Sequence, residues 1–297
     1  MASGPARFVF LVHPLVPAAR RLMGLRTGRP GLVLGTRDGT DPDDCAELAR
    51  FRYRGVEGVF VGVPLLPDQL LSDQEGALRS MQRAVQIAGP VSFVGLGSVL
   101  SVVAGRGAAL EALCGLPVTT GNAATAWAAW RTAESLRGGR EVAVIGAKGT
   151  VGRALVELLG ATPDPQDLRE FSLLVGSHTT GGTIDPARLA PGATLVDVAL
   201  PPTLSGPAPA HVRVVPGERL PLPPGWSRNA WAWCFHAAAG YGLHHIYACV
   251  LEPLVALLEG RERAWQQGRA LSATTVREFG AAAAEHGLGF SPQAADR

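Results

Sequence analysis

The sequence predicts an α/β protein, and two observations carry that prediction. In the first third, short runs of β-branched and aromatic residues alternate with stretches of helical periodicity. Near the middle, an apolar run leads through closely spaced glycines into a further helical stretch. Composition supplies the material for such layers. The chain has 297 residues, 47% hydrophobic and 18% charged, enough for about two domains with buried cores. A chain disordered throughout is excluded.

Taken in order, residues 8–12 (FVFLV) and 59–63 (VFVGV) read as strands. Residues 74–87 read as a helix with Leu78, Met81, Ala84 and Ile87 on one face. Residues 91–95 form another strand, followed by the turn Gly95-Leu96-Gly97-Ser98. A short helix over 108–114 stops at Gly115, with Pro117 just beyond. Thr119-Thr120-Gly121-Asn122 opens a long helix over 123–136, where a Thr or Asn side chain would cap the orphan N–H groups. Trp127 and Trp130 lie on one face of it as a core stripe. Gly138-Gly139 ends that helix and marks a boundary.

Beyond it, residues 141–145 (EVAVI) form a buried-type strand, and a helix follows the glycine turn to about Leu159. Residues 171–176 and 194–199 are further strands. A Pro-rich stretch from 200 to 226 contains one short strand, 212–215. The rest is helical, with an apolar stripe from Ile246 to Leu258 and a second helix over 272–286. The expected domains are an N-terminal α/β substrate domain (1–121), a nucleotide-binding domain (122–218) and a C-terminal helical segment (219–297).

The net charge of +2 is too near neutral for a nucleic-acid surface. The basic residues are 26 arginines and one lysine, Lys148. Cys45, Cys114, Cys234 and Cys249 show no CxxC spacing, which suggests neither a zinc module nor a disulfide scaffold and suits free thiols in a reducing cytoplasm. The apolar run near the N-terminus is too short for a signal peptide. The stretch 91–103 is broken by Gly and Ser and is shorter than a membrane span. A soluble cytoplasmic protein without stable membrane insertion is expected.

The strongest chemical signal is VAVI followed by Gly146-Ala147-Lys148-Gly149-Thr150-Val151-Gly152 and a helix. Glycines at this spacing allow a tight turn and close approach of a pyrophosphate, and the helix start offers N–H donors to it. This makes the domain Rossmann-like. Lys148 stands inside the loop, where its charge can meet a phosphate or remain on an exposed turn. A strand about 20 residues on should end in Asp or Glu for a ribose hydroxyl, or Arg for a 2′-phosphate. Between Gly160 and Ser172 lies only ATPDPQDLREF, with two prolines and no β-branched run. Arg169 and Glu170 are the only candidates, and neither follows a strand. This half of the nucleotide fold reads as shortened, and NAD versus NADP stays open from the residues.

Several of these stretches together resemble the long-chain acyl-carrier-protein (acyl-ACP) reductases and the broader group of amino-acid dehydrogenase-like proteins around them. The matching pieces are His13-Pro14-Leu15, residues 62–66, GLGSVLSVV at 95–103, LPVTTGN at 116–122 and VAVIGAKGTVG at 142–152. IDPARL and TLVDVALP between 184 and 201, YACVLEPLVALLEG at 247–260 and REFGAAAAEHGLGF at 277–290 complete them. The resemblance implies a two-lobed enzyme. An N-terminal α/β domain would carry the acyl site, a Rossmann domain would hold NADPH (NADH as the alternative), and C-terminal helices would pack back. The substrate would arrive on acyl carrier protein or CoA and be reduced to an aldehyde through a cysteine acyl-enzyme.

The cofactor would rest on Gly146, Lys148, Gly149, Thr150, Val151, Gly152 and Ser177, with Thr120, Gly121 and Asn122 nearby. The nucleophile is displaced. The family's cysteine position falls within 223–226 (PPGW), which has none, so Cys234 in WAWCFH, beside His236, becomes the candidate thiolate. Its alternative role is a buried cysteine among aromatics. Cys45, Cys114 and Cys249 read as packing residues. His13, Ser98 and Ser101 sit at turns that could face a cleft, and Ser177, His178, Thr179 and Thr180 follow a strand end. His244 and His245 are adjacent, so they point to different sides, and no metal site is expected. Two other functions fit the residues. One is a non-catalytic nucleotide- or acyl-binding regulatory or scaffold protein. The other is a dehydrogenase of a small amino or hydroxy acid without covalent catalysis.

Overall fold

The computed structural model describes residues 6–103, 105–178, 181–229, 244–266, 268 and 270–290. The chain forms two compact units. The first comprises Met1–Gly121, Leu222–His245 and Cys249–Gly268, and the second Asn122–Pro221, Ile246–Ala248 and Arg269–Arg297.

In the first unit the elements run β1 (Arg7–Val12), α1 (Pro17–Thr27), α2 (Pro30–Leu34), β2 (Ala46–Tyr53), β3 (Val56–Gly62), α3 (Pro67–Ser72), α4 (Gln74–Ala88), β4 (Phe93–Leu96), α5 (Ala108–Cys114) and β5 (Val118–Thr119). The sheet order is Ser227–Arg228, β2, β3, β1, β4, β5. The run from β3 through β5 is parallel, and β2 and Ser227–Arg228 are antiparallel additions at one side. Parallel strands must be covered on both faces, so their residues are apolar without alternation. Val9, Leu11, Val59, Val61, Val94 and Leu96 join Met81 and Ala84 of α4 and Leu110 of α5 in one core. On the opposite pleat Phe8, Phe10, Phe51 and Phe60 pack ring to ring at 5.4–5.8 Å, and Trp226 stacks on Phe51 at 4.4 Å.

Helix α4 starts where Asp73 accepts a hydrogen bond from the Gly76 N–H at 2.8 Å. Glu57 on β3 is buried yet meets three arginines: Arg7 at 2.8 Å, Arg50 at 3.2 Å and Arg52 at 2.8 Å. Burial alone would push its carboxyl up. The hydrogen bond from Arg52 and the three positive charges together hold it below the ordinary glutamate value.

In the second unit α6 (Asn122–Arg137) precedes β6 (Val142–Ile145), α7 (Thr150–Leu159), β7 (Thr162–Pro163), β8 (Leu173–Gly176), β9 (Thr194–Asp197) and β10 (Arg213–Pro216). The sheet is wholly parallel, in the order β10-β9-β8-β6-β7. Ala129, Ala133, Leu155 and Leu159 cover one face over Val142, Val144, Leu173 and Val175. Leu168, Phe171, Ile184 and Leu189 cover the other from irregular segments. Trp127 on α6 meets Phe279 of the helix Ala273–Glu285 edge-on at 5.9 Å. Of the core stripe expected at Trp127 and Trp130, Trp127 is buried at 5% exposure and Trp130 is partly buried against the core. Both units are α/β with Rossmann-like parallel sheets. Among the described residues no helix is long and apolar enough to cross a membrane.

Candidate functional site

In the second unit's parallel sheet the order of strand addition reverses at one place. Strand β7 lies on one side of β6, and β8 then returns to the other. In open α/β sheets, ligands bind outside the carboxyl ends of the strands at such a reversal. The two segments leaving that point are the glycine loop after β6 and Ser177 after β8.

Each glycine in the loop has a steric reason. Gly146 has φ +82°, a left-handed conformation that disfavours side chains, and a Cβ there would lie 3.1 Å from the backbone of Ser177 and His178. A Cβ on Gly152 would stand 2.2 Å from the Gly146 carbonyl oxygen, so only hydrogen lets α7 begin this close to β6. Gly149 donates to the Gly146 carbonyl at 3.0 Å, closing the turn. It is also the N-cap of α7 and carries no side chain to cap it. The first amides of α7, at Thr150, Val151 and Gly152, are therefore the orphan donors of a ten-residue helix. Their dipole end is positive. A loop closed to a Cβ at Gly146 and Gly152, followed by helix amides without a capping side chain, fits the pyrophosphate of a dinucleotide. Lys148 is exposed on it.

Ser177 does belong with this loop. Its hydroxyl donates to the Ile145 carbonyl at 3.0 Å and approaches that of Gly146 at 3.4 Å, so it fixes the turn's shape. His178 follows it, while Thr179 and Thr180 lie outside the described residues.

A strand does follow the glycine helix, contrary to the sequence expectation. It is β7, two residues long, and the residue leaving its carboxyl end is Asp164 rather than Arg169 or Glu170. Asp164 Oδ1 accepts from the Gly146 N–H at 2.7 Å and from the Ala147 N–H at 3.3 Å. Arg169 and Glu170 form a short 3-10 turn further on, with Asp167 accepting from the Arg169 N–H at 2.9 Å. The signal that could have found Asp164 is positional. It stands 18 residues after Gly146, near the expected interval, but between two prolines.

No protein-family profile matches the chain. Among curated proteins it is similar to Aminotransferase PigE of Serratia sp. (strain ATCC 39006), 26% identical over 294 residues. That match takes in 80% of this chain and 33% of the relative, so the chain spans about a third of that protein's length. Among solved structures, a 5,10-methylenetetrahydrofolate dehydrogenase from the silkworm Bombyx mori is 16% identical over 65% of this chain and 71% of that one. Its TM-score is 0.28.

Further along the same strand ends, Asp197 closes β9. It accepts from Ala199 N–H at 3.0 Å, Thr203 N–H at 2.8 Å and the Thr203 hydroxyl at 2.7 Å. Glu218, just past β10, is buried, and burial with the nearby Asp197 charge pushes its carboxyl up to about 7. Arg219, at 3.7 Å, offsets part of that. Among the described residues Glu218 Oε2 is buried without a hydrogen-bond partner.

Thr120 and Gly121 belong to the first unit. The Thr120 hydroxyl donates to Gln266 Oε1 at 2.9 Å, and the Gly121 N–H donates to the Thr119 hydroxyl at 3.2 Å. That hydroxyl in turn donates to the fully buried Glu252. Gly121 has φ +71°, and a Cβ on it would stand 2.3 Å from the Cβ of Cys249. Asn122 begins α6 of the second unit.

Beside this knot Arg106, Glu111, Val118 and Gln266 line an open pocket of about 290 Å³, which no sequence pattern announced. Cys45 donates its thiol to the Ser80 carbonyl at 3.3 Å, and burial pushes it up to about 12, so it is no thiolate. Burial raises Cys114 as well. Cys234 and His236 lie outside the described residues. Among the described residues no cluster of His, Cys, Asp or Glu could hold a metal ion.

Proposed function

We propose that the chain is a dinucleotide-dependent oxidoreductase that binds NAD(P)H on the glycine loop of its second unit and reduces an acyl thioester to an aldehyde. The observation that carries the dinucleotide is the contact between Gly152 and the Gly146 carbonyl at the sheet's reversal. It tolerates no side chain and lies at the start of α7, whose first amides have no capping side chain.

The residues divide the work. The amides of Thr150, Val151 and Gly152 take the phosphates, and Lys148 adds a positive charge to the same loop. Ser177 holds the turn open through the Ile145 and Gly146 carbonyls. An acyl thioester as substrate is supported by the motif resemblance, with Cys234 as nucleophile. Its thiolate attacks the thioester carbonyl, the new C–S bond forms, and the carrier thiolate leaves and takes up a proton. The nicotinamide, when bound, would supply the hydride that reduces the acyl carbon, and the acyl–Sγ bond then breaks to release the aldehyde and return Cys234 as the thiolate.

The distant relative's name speaks of an aminotransferase, but that function does not suit these residues. Pyridoxal chemistry needs a lysine to form the Schiff base. The only lysine in the chain is Lys148, exposed in the phosphate-type loop.

Calorimetric titration of the full chain with NADH and NADPH is expected to show saturable binding of at least one, and no binding of either would remove the proposal. Incubation with acyl-ACP or acyl-CoA is expected to add the acyl mass to the protein, and Cys234→Ala to abolish the adduct. An adduct retained in that variant would remove Cys234 from the mechanism. Dinucleotide binding without aldehyde from any thioester would favour a regulatory nucleotide-binding protein instead. Turnover of an amino or hydroxy acid that survives Cys234→Ala would favour a dehydrogenase without covalent catalysis.

A further inference from the structure

We infer that Asp164 is the ribose-binding and specificity-determining residue of the second unit, and that it selects a dinucleotide with a free adenosine ribose diol over one carrying a 2′-phosphate. This assignment rests on the dinucleotide site proposed above and adds to it the choice between NADH and NADPH.

Three observations converge on it. Strand β7 is hydrogen-bonded beside β6 on the side opposite β8, which is where the second strand of a mononucleotide-binding half belongs. Asp164 is the residue that leaves its carboxyl end. The backbone at Asp164 is left-handed although the residue is not glycine, φ +42°. The carboxylate is then clamped by the first two amides of the glycine loop, at 2.7 and 3.3 Å, both on Oδ1. Among the described residues Oδ2 has no hydrogen-bond partner.

A carboxylate accepts hydrogen bonds and cannot donate them. Two vicinal ribose hydroxyls are donors that Oδ2 can satisfy. A 2′-phosphate offers only acceptors and about two negative charges, and it would meet a fixed negative charge against the loop. The arginines of the neighbouring segments are turned to other work. Arg169 donates to the Ala187 carbonyl at 3.1 Å, and Arg188 to the Gln166 carbonyl at 2.8 Å. Lys148 is the cation on the loop itself. As a phosphate partner it would help both dinucleotides alike, because both carry the pyrophosphate.

The test is titration of the full chain with NADH and NADPH, followed by nicotinamide fluorescence and calorimetry, with no turnover required. NADH is expected to bind at least about tenfold more tightly, the scale of one hydrogen bond to a charged group. Equal or tighter binding of NADPH overturns the assignment while leaving the dinucleotide site standing. Absence of binding by either removes both.

Asp164→Asn keeps an acceptor for the Gly146 and Ala147 amides but loses the charge. It is expected to narrow or invert the NADH preference. If it weakens both dinucleotides by the same factor, Asp164 only holds the loop and the assignment fails. Lys148→Ala is expected to weaken both by a common factor. A loss confined to NADPH would show a 2′-phosphate subsite on Lys148 and overturn the assignment as well.

Discussion

The two units solve the same topological problem in different ways at the place where their sheets reverse. In the first unit the reversal lies between β1 and β4, and in the second between β6 and β8. At the first, the protein fills its own crevice. His13, leaving β1, uses Nε2 to accept from the Val99 N–H at 3.3 Å, while Nδ1 meets the Pro14 carbonyl at 3.1 Å. Ser101 closes the same turn by donating to the Ser98 carbonyl at 2.7 Å. At the second reversal three glycines replace those side chains, and the helix amides have no capping side chain. A doubly wound sheet thus presents a binding crevice only if the sequence withholds the side chains that would satisfy it internally.

Three substitutions would break or sharpen this contrast. The largest effect is expected at Gly152. Gly152→Val places a branched side chain against the Gly146 carbonyl, and forcing atoms into such a space costs about 1–3 kcal/mol or more. Thermal melting should fall and dinucleotide binding should be lost. An unchanged titration would mean the loop is not the site.

His13→Phe is expected to cost somewhat less, about 1–2 kcal/mol, because it strands the Val99 N–H without an acceptor. Dinucleotide affinity should not move, and a parallel loss of affinity would erase the distinction between the two crevices.

In the unaltered protein the smallest net effect comes from a pair of opposed pH slopes. Burial pushes His13 down to about 4 against an ordinary value of 6.5. Between those values the unfolded chain binds the proton and the folded one does not, so stability falls as pH drops from 6.5 to 4. Glu218 is raised to about 7 from 4.5, so between those values only the folded chain keeps the proton. Stability is then lost as pH rises from 4.5 to 7. From 4.5 to 6.5 the slopes oppose. Glu218→Gln should leave stability rising with pH across that window, and His13→Gln should leave it falling, both read by thermal melting. Identical profiles in the two variants would show that neither group titrates as its surroundings require.

What could be read from the sequence follows the same physics. The run VAVI and the glycines after it were legible because a fully buried strand is a continuous apolar string and a close backbone approach demands glycine. Strand β2 was not, because a bulge between Glu47 and Ala49 resets its alternation midway. Ala46 and Leu48 therefore fall out of step with Ala49, Phe51 and Tyr53. Strand β7 was hidden for a different reason. Its two residues are both exposed and carry no apolar pattern. Asp164 was hidden with it, since a candidate sought at a strand's end cannot be found when the strand is not seen. The clamp from its carboxylate to the loop amides is a long-range contact with no local signature.

Strand β7 has one more consequence, for how the molecule behaves among its own copies. It is the outer strand of the second sheet, and an outer strand is a template on which another chain can add itself. Here that template is two residues long, and one of them, Pro163, has no N–H to offer an incoming strand. The same brevity that hides the nucleotide half from view also leaves this border of the sheet unable to grow, a built-in protection against edge-to-edge aggregation.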